Sequence, residues 1–343
     1  MIKVLVVDDS ALMRNIIKEI IESDPDFSVV GTAKNGKEAV ELNDLLRPDI
    51  VTMDIEMPIL DGIEATHLIM EKNPSKIVIL SAFASDDATP TLQALKNGAV
   101  DFLQKPSGVI SPNIRLIKFE IVEKLKEISK ISVDTIKKVN ENKIRKIENI
   151  ESVSGKCIAI ASSTGGPKAL EKLIPALPAK LGGFVFIVQH MPQTFTKSFA
   201  LRMDKLSDLP VKEVEQDERL SPSTVYIGKG DLHFKVKSKG GQPYASLSKD
   251  PPLWGVRPAA DYLFDSVAQV FKENTLGLVL TGMGRDGTQG AAFIRRAGGK
   301  IIIQSKESAF IWGMPGSIFN AGHYDWQLPL EEMPGVIEDF FRR

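Results

Sequence analysis

Cysteine is nearly absent, with a single residue, Cys157, in 343. It lies inside an apolar run, where core packing is its expected role. A lone thiol forms no internal disulfide, so a stapled secreted scaffold is excluded and a reducing compartment is expected. Net charge is also lacking: 43 Lys and Arg stand against 44 Asp and Glu, leaving -1. No long-range field therefore draws the chain to nucleic acid or to an anionic membrane. No apolar window approaches the roughly 20 residues of a membrane span, and MIKVLVVDDS has no charged leader before a long apolar stretch. Nothing reads as a helix-turn-helix with a basic recognition face. These absences predict a cytoplasmic protein that neither inserts into membranes nor binds nucleic acid. What remains is globular stock, 43% hydrophobic and 25% charged, long enough for two domains of about 100–200 residues.

In the first half, short β-branched runs alternate with stretches of helical period. IKVLVV, SVVGTA, DIVTM, KIVIL and VDFLQ are candidate strands, and this alternation predicts a parallel sheet with helices on both faces. Ligands of such sheets collect at the carboxyl ends of the strands. Asp8 and Asp9 end the first strand, Asp54 the third and Ser81 the fourth, and Lys105 follows the fifth. Clustered carboxylates repel and raise one another's pKa unless a cation sits among them. Oxygen ligands that leave room for waters and a phosphate suit Mg2+. A hydroxyl and a lysine at two further strand ends complete a phosphoryl-binding set.

These residues and the motifs VVDDS, DIVTMDIEMPILDGIEA, ILSA and NGAVDFLQKP resemble the two-component receiver family. The resemblance implies a flavodoxin-like five-stranded receiver domain over residues 1–125. It implies that Asp54 accepts a phosphoryl group from a histidine kinase, and that Asp8, Asp9, Asp54 and the backbone carbonyl of Glu56 hold Mg2+. Ser81 and Lys105 would contact phosphoryl oxygens, and Phe102 would be the aromatic that follows the switch.

Ile114, Ile117, Ile121, Leu125 and Ile128 recur at helical spacing and predict a last receiver helix. Beyond it, a Lys-, Glu- and Asn-rich stretch without aromatics predicts a solvated tether, and residues 126–154 are assigned to a linker.

Strand and helix alternation resumes over residues 155–343. CIAIAS, GFVFIVQ, LGLVLTG and GKIIIQ are candidate strands, with an antiparallel insertion expected in GKGDLHFKVKSKGGQPYASL. The first strand breaks into SSTGGPKAL, whose proline suits a first helical turn. Exposed amides at a helix N-terminus favour negative charge, which fits a phosphate cradle, an oxyanion site or a plain turn. Neither Walker nor G-x-G-x-x-G spacing occurs in this stretch. His190 closes the next strand, and Asp286 lies in the glycine-rich loop after LVLTGMG. A serine, a histidine and an aspartate at three carboxyl ends are what a nucleophile, its base and the orienter of that base require. His67, His233 and His323 lack such partners, and no ligand spacing for a metal occurs in this half.

SSTGGPKAL, QHMPQTFTKSFALRM, RPAADYLFDSVA, LTGMGRDGTQG, AGGKIIIQ and WGMPGSI resemble the chemotaxis protein-glutamate methylesterase family, and the resemblance runs from end to end. It implies a Rossmann-like doubly wound α/β catalytic domain that hydrolyses glutamate γ-methyl esters of chemoreceptors, releases methanol and deamidates receptor glutamines. Ser163 would be the nucleophile, His190 the general acid and base, and Asp286 the group fixing the tautomer. Ser162 still belongs to the strand. On this reading the amides around Met283 and Gly284 would hold the oxyanion, Thr164 would position the histidine or the substrate, and the esterase chemistry needs no cofactor. YIGKGDLHF and RPAADYLF depart from the usual family pattern at the rim of the site. The competing readings are a non-catalytic response-regulator adaptor and a serine esterase or amidase with another substrate.

Overall fold

The computed structural model describes residues 1–81, 88–106, 114–136, 144–150 and 155–342. The chain divides into two compact units, Met1–Asn140 and Glu141–Arg343.

In the first unit β1 (Ile2–Val7), β2 (Phe27–Ala33), β3 (Ile50–Asp54), β4 (Lys76–Ser81) and β5 (Asp101–Gln104) form one sheet in the order β2-β1-β3-β4-β5. Every pairing is parallel, which is the flavodoxin-like order expected from the sequence. Val4 to Val7 and Ile77 to Leu80 are fully buried because helices cover both faces. The helices start on polar caps. Ser10 accepts from the Met13 amide ahead of α1 (Ala11–Glu22), and Asn35 from the Glu38 amide ahead of α2 (Gly36–Leu46). Asp61 does the same for the Glu64 amide ahead of α3 (Gly62–Lys72), each bond satisfying an orphan donor of a first turn. After α4 (Thr89–Lys96), α5 runs from Ile114 to Ser129, beyond residue 125, with Ile121, Leu125 and Ile128 buried. Ala82 of the ILSA motif lies outside the described residues.

Of the stretch assigned to the linker, residues 137–143 and 151–154 lie outside the described residues. Residues 144–150 differ from a solvated tether. Ile147 and Ile150 are buried, and their amides donate to Ala176 O and Lys180 O of the second unit, each at 2.8 Å. Ile147 and Ile150 seat this segment, which is not helical, although Lys, Arg, Glu and Asn surround them in the sequence.

The second unit has a seven-stranded sheet in the order β14-β13-β12-β6-β7-β9-β8, parallel throughout. Its central strands β6 (Cys157–Ser162), β7 (Phe184–Gln189) and β12 (Thr275–Val279) are buried along their whole length. From β6 the chain winds outward through β7 to β9 (Val225–Ile227) and β8 (Val211–Glu213). It then crosses back to β12, β13 (Lys300–Gln304) and β14 (Trp326–Leu328). The order therefore reverses between β6 and β12, which opens a crevice at their carboxyl ends. The expected antiparallel element is the hairpin β10 (His233–Lys239) and β11 (Gln242–Ser248), turned by Gly240 and Gly241, both at positive φ. Phe186 sits at the centre of the core against Phe184, Tyr226, Phe234 and Phe271. Each such fully buried side chain contributes about 1.5–3 kcal/mol. The remaining helices are α6 (Gly166–Leu173), α7 (Gln193–Leu206), α8 (Ala260–Phe271), α9 (Thr288–Arg296), α10 (Gly313–Ala321) and α11 (Met333–Arg342).

Candidate active site

Three strand ends meet at the crevice of the second unit. Ser162, the last residue of β6, is fully buried, and its hydroxyl donates to Gln189 Oε1 at 2.7 Å. Ser163, one residue past the strand end, is only half-buried. Its amide donates to Thr281 O at 3.0 Å, which ties it to the end of β12. The turn into α6 depends on two glycines. Gly165 has φ +76°, and a Cβ on Gly166 would lie 2.0 Å from Gln189 Oε1. Only a glycine lets the helix start this close to the neighbouring strand end.

Gln189, the last residue of β7, staples this corner. Its Nε2 donates to Ser163 O at 3.0 Å and to His190 O at 3.1 Å, while the His190 amide donates to Ser162 O at 3.0 Å. The peptides carrying Ser163 and His190 are thereby held side by side. The contact between them runs through the backbone; among the described residues Ser163 Oγ forms no hydrogen bond with the imidazole. Such bonds tighten in many enzymes only when substrate is bound.

His190 Nε2 lies 2.7 Å from Asp286 Oδ2. Asp286 also accepts from three amides: Ala260 at 2.5 Å on Oδ2, and Asp261 at 3.0 Å and Gly287 at 2.9 Å on Oδ1. The first two open α8, so the helix N-terminus faces the carboxylate. Burial alone would push the Asp286 carboxyl up, but the His190 bond and the Ala260 and Asp261 amides outweigh it and hold it low. An ionised carboxylate only accepts, so Nε2 carries a proton, and the neutral tautomer compatible with this contact has its lone pair on Nδ1.

The loop from Gly282 to Gly287 joins the ends of the site. The amides of Met283 and Gly284 donate no hydrogen bond among the described residues, which leaves both available to an incoming oxyanion. Thr164 is buried, and its carbonyl accepts from Thr281 Oγ1 at 2.9 Å. Gly282, Gly284 and Gly287 have dinucleotide-binding spacing at a strand end, but the Asp286 carboxylate among them would repel a pyrophosphate.

Some residues here were not singled out by the sequence. Gln189 carried a signal, a polar residue closing the apolar run FVFIVQ. Asp261 is 4% exposed and accepts from Gly290 N at 2.7 Å and Trp254 Nε1 at 2.8 Å. Burial and the nearby Asp286 charge raise its carboxyl despite those bonds. His233 is fully buried away from the triad. Its Nδ1 accepts from Ala259 N at 3.1 Å and its Nε2 faces Pro251 O at 3.1 Å, so it fixes the residue before the Asp286 cradle. Burial, foremost, lowers its pKa. Cys157 is buried, and burial pushes its thiol far up, leaving it inert.

In the first unit, ligand oxygens of Asp8, Asp9 and Asp54 lie within 4.8 Å of one another. Lys105 Nζ reaches Asp8 Oδ2 at 2.8 Å and Asp54 Oδ2 at 2.6 Å. Asp8 Oδ2 is fully buried and, among the described residues, faces only the Lys105 ammonium. Three carboxylates gathered this closely beside a single ammonium are a hard-oxygen donor set that fits a divalent cation. Burial, followed by the Asp8 charge, raises the Asp54 carboxyl, with Lys105 opposing. Burial would lower the Lys105 ammonium, and its two carboxylate partners more than reverse this. Ser81 ends β4 and receives the Thr91 hydroxyl at 3.4 Å, while Phe102 is buried in β5. Glu56 is exposed just past β3.

A family model described as CheB methylesterase matches residues 158–337, and one described as response regulator receiver domain matches residues 4–111. The protein-glutamate methylesterase/protein-glutamine glutaminase of Thermotoga maritima is 45% identical over 97% of this chain and 96% of its own length. The protein of that description from Pyrococcus abyssi is 43% identical over 98% and 92%. The crystal structure of the Thermotoga maritima CheB methylesterase catalytic domain aligns with a TM-score of 0.53 and 42% identity, covering 55% of this chain and 99% of that one.

Proposed function

Because the chain belongs to the CheB methylesterase family and carries a response regulator receiver domain, we propose that Ser163, His190 and Asp286 hydrolyse glutamate γ-methyl esters on chemoreceptors. Ser163 Oγ attacks the ester carbonyl as His190 Nδ1 takes its proton. The amides of Met283 and Gly284 receive the oxyanion, each such donor being worth roughly 2.7–4 kcal/mol. Collapse passes the proton from His190 to the leaving oxygen and frees methanol, and a glutamyl ester stays on Ser163. Water then attacks with the same base, regenerating Ser163 and a glutamate. A glutamine substrate follows the same course with ammonia leaving. Asp286 holds the proton at Nε2 and stabilises the imidazolium, while Thr164 keeps the turn after Ser163 in place. The observation that carries this reading is the short His190–Asp286 contact beside two free amides, at the strand ends next to the reversal of sheet order.

The receiver, assigned to residues 1–125 with a linker over 126–154 and the catalytic domain from 155, regulates this chemistry. Asp54 accepts a phosphoryl group from a histidine kinase of the chemotaxis system. Asp8, Asp9, Asp54 and the Glu56 carbonyl would hold Mg2+, which supplies charge neutralisation for phosphoryl transfer. Lys105 and Ser81 take up the phosphoryl oxygens, Phe102 follows the switch, and phosphorylation relieves inhibition of the esterase. No helix among the described residues is long and apolar enough to cross a membrane, in keeping with action at receptor cytoplasmic domains.

Methanol release from a methylated receptor fragment, with and without a small phosphodonor and Mg2+, tests both halves. Ser163→Ala is expected to abolish release and Ser162→Ala to retain it. Release at the wild-type rate from Ser163→Ala would overturn the assignment.

A further inference from the structure

Within the loop Gly282–Gly287 one end touches the nucleophile and the other the base. A Cβ at Gly282 would lie 2.8 Å from Ser163 Cβ, and Asp286 contacts His190. Arg285 sits between these ends, exposed. Its guanidinium lies 3.9 Å from the centroid of the Trp254 indole and has no carboxylate partner among the described residues.

The indole beneath it is held firmly. Trp254 has φ +56° and Gly255 φ +80° in a two-residue turn closed by reciprocal Leu253 and Val256 hydrogen bonds. A left-handed tryptophan is strained, yet 37% of it remains exposed, so burial of the ring does not account for the strain. Its Nε1 is instead tied to the buried Asp261 carboxylate, whose amide in turn supports Asp286. A buried acid and a strained turn thus fix an aromatic platform whose free face carries one cation. A planar guanidinium stacked in this way keeps its edge donors free for a carboxylate.

We propose that Arg285 on Trp254 is a specificity device that recognises a carboxylate of the substrate protein close to the scissile ester. The enzyme then prefers esters on acidic segments and leaves isolated esters alone. The proposal rests on the active site being the Ser163 centre argued above. Arg285 is a rim charge, so it acts on productive encounter and positioning, and its effect weakens with salt.

Three synthetic helical peptides test it, each with one glutamate γ-methyl ester: one flanked by glutamates, one by alanines and one by lysines. The readout is the ratio of kcat/KM between peptides within one protein, so a general loss of activity cancels. Wild type is expected to favour the acidic peptide about tenfold at low salt, the scale of one charge-assisted hydrogen bond. Arg285→Gln brings the ratio close to unity, and Arg285→Glu shifts preference to the lysine peptide. Trp254→Leu, which removes the platform and keeps the charge, reduces the ratio. An unchanged ratio in both Arg285 variants, or a wild type indifferent to the flanks, overturns the proposal while the esterase reading stands. A wild type that cleaves none of the peptides overturns both.

Discussion

Replacing Asp286 by asparagine keeps the shape of the site and changes only what its four donors meet. The native Oδ2 accepts from His190 Nε2 and Ala260 N, and Oδ1 from Asp261 N and Gly287 N. Asparagine has one carbonyl oxygen to serve both sides. With that oxygen in the Oδ1 place, the new NH2 faces the Ala260 amide, and one buried donor is orphaned. His190 must then turn its Nε2 lone pair to the NH2 and carry its proton on Nδ1, where the base should be. With the oxygen in the Oδ2 place, His190 keeps its tautomer but the Asp261 and Gly287 amides are both orphaned. Each orphan costs about 1–3 kcal/mol, so the first arrangement wins by about that margin and the inactive tautomer dominates by roughly 5- to 150-fold. Loss of the carboxylate charge also removes stabilisation of the imidazolium. A comparable substitution in a serine protease triad lowers kcat about 10⁴-fold, and a fall in kcat of roughly 10³ to 10⁴ is expected here. Stability should drop by about 1–3 kcal/mol from the orphaned amide. Methanol-release kinetics and urea unfolding of the same protein measure both. A kcat within tenfold of wild type would refute the tautomer argument, and unchanged stability would refute the amide cradle.

Further outcomes are expected. His233 is held neutral in the fold, its pKa depressed below the usual 6.5 by burial, with Lys235 and Arg257 adding and Pro251 O and Asp250 opposing. The unfolded chain therefore binds more protons below about pH 6.5. This contribution to stability is complete above that pH and is lost as pH falls toward the folded pKa. Urea melts between pH 5.5 and 7.5 should show the slope in wild type and a smaller one in His233→Asn; equal slopes would refute it. Gly166→Ala puts a methyl 2.0 Å from Gln189 Oε1, which Ser162, Ser163 and His190 pin. A loss of about 1–3 kcal/mol together with activity is expected, and an unchanged melting temperature would show that the corner yields. Removing residues 1–140, which spares the seated Ile147 and Ile150, should raise basal methanol release. A fall or no change would refute inhibition by the receiver.

Several of these residues were legible in the sequence for physical reasons. Parallel strands buried on both faces must be apolar throughout and must end in polar residues or glycine, so FVFIVQH and VVDDS declare both the strand and its functional end. The α/β class and its parallel sheets follow from that pattern, whereas the receiver and the family resemblance rest on the motifs at those strand ends. Asp8, Asp54 and Lys105 could be grouped because doubly wound sheets gather ligands at one edge. Ser163 could be separated from Ser162 because the strand period ends between them.

Other features have no local signature. Gln189 reads as a strand end, yet its place as the staple of two peptides depends on β6 and β7 being neighbours. Asp261 reads as an ordinary first-turn acid of a helix, and its burial arises only once the Trp254 turn and α9 close over it. Residues 144–150 read as tether because Lys, Arg, Glu and Asn outnumber their isoleucines and no aromatic stands among them, while the surface that receives them is built by residues 176–180. Sequence alone determined which residues carry charge, nucleophilicity and backbone freedom, because those are properties of single side chains. Which nitrogen of His190 keeps its lone pair, which amides stay free and which carboxylates are buried were decided by the tertiary structure. These depend on donors brought together from strands and helices far apart in the chain.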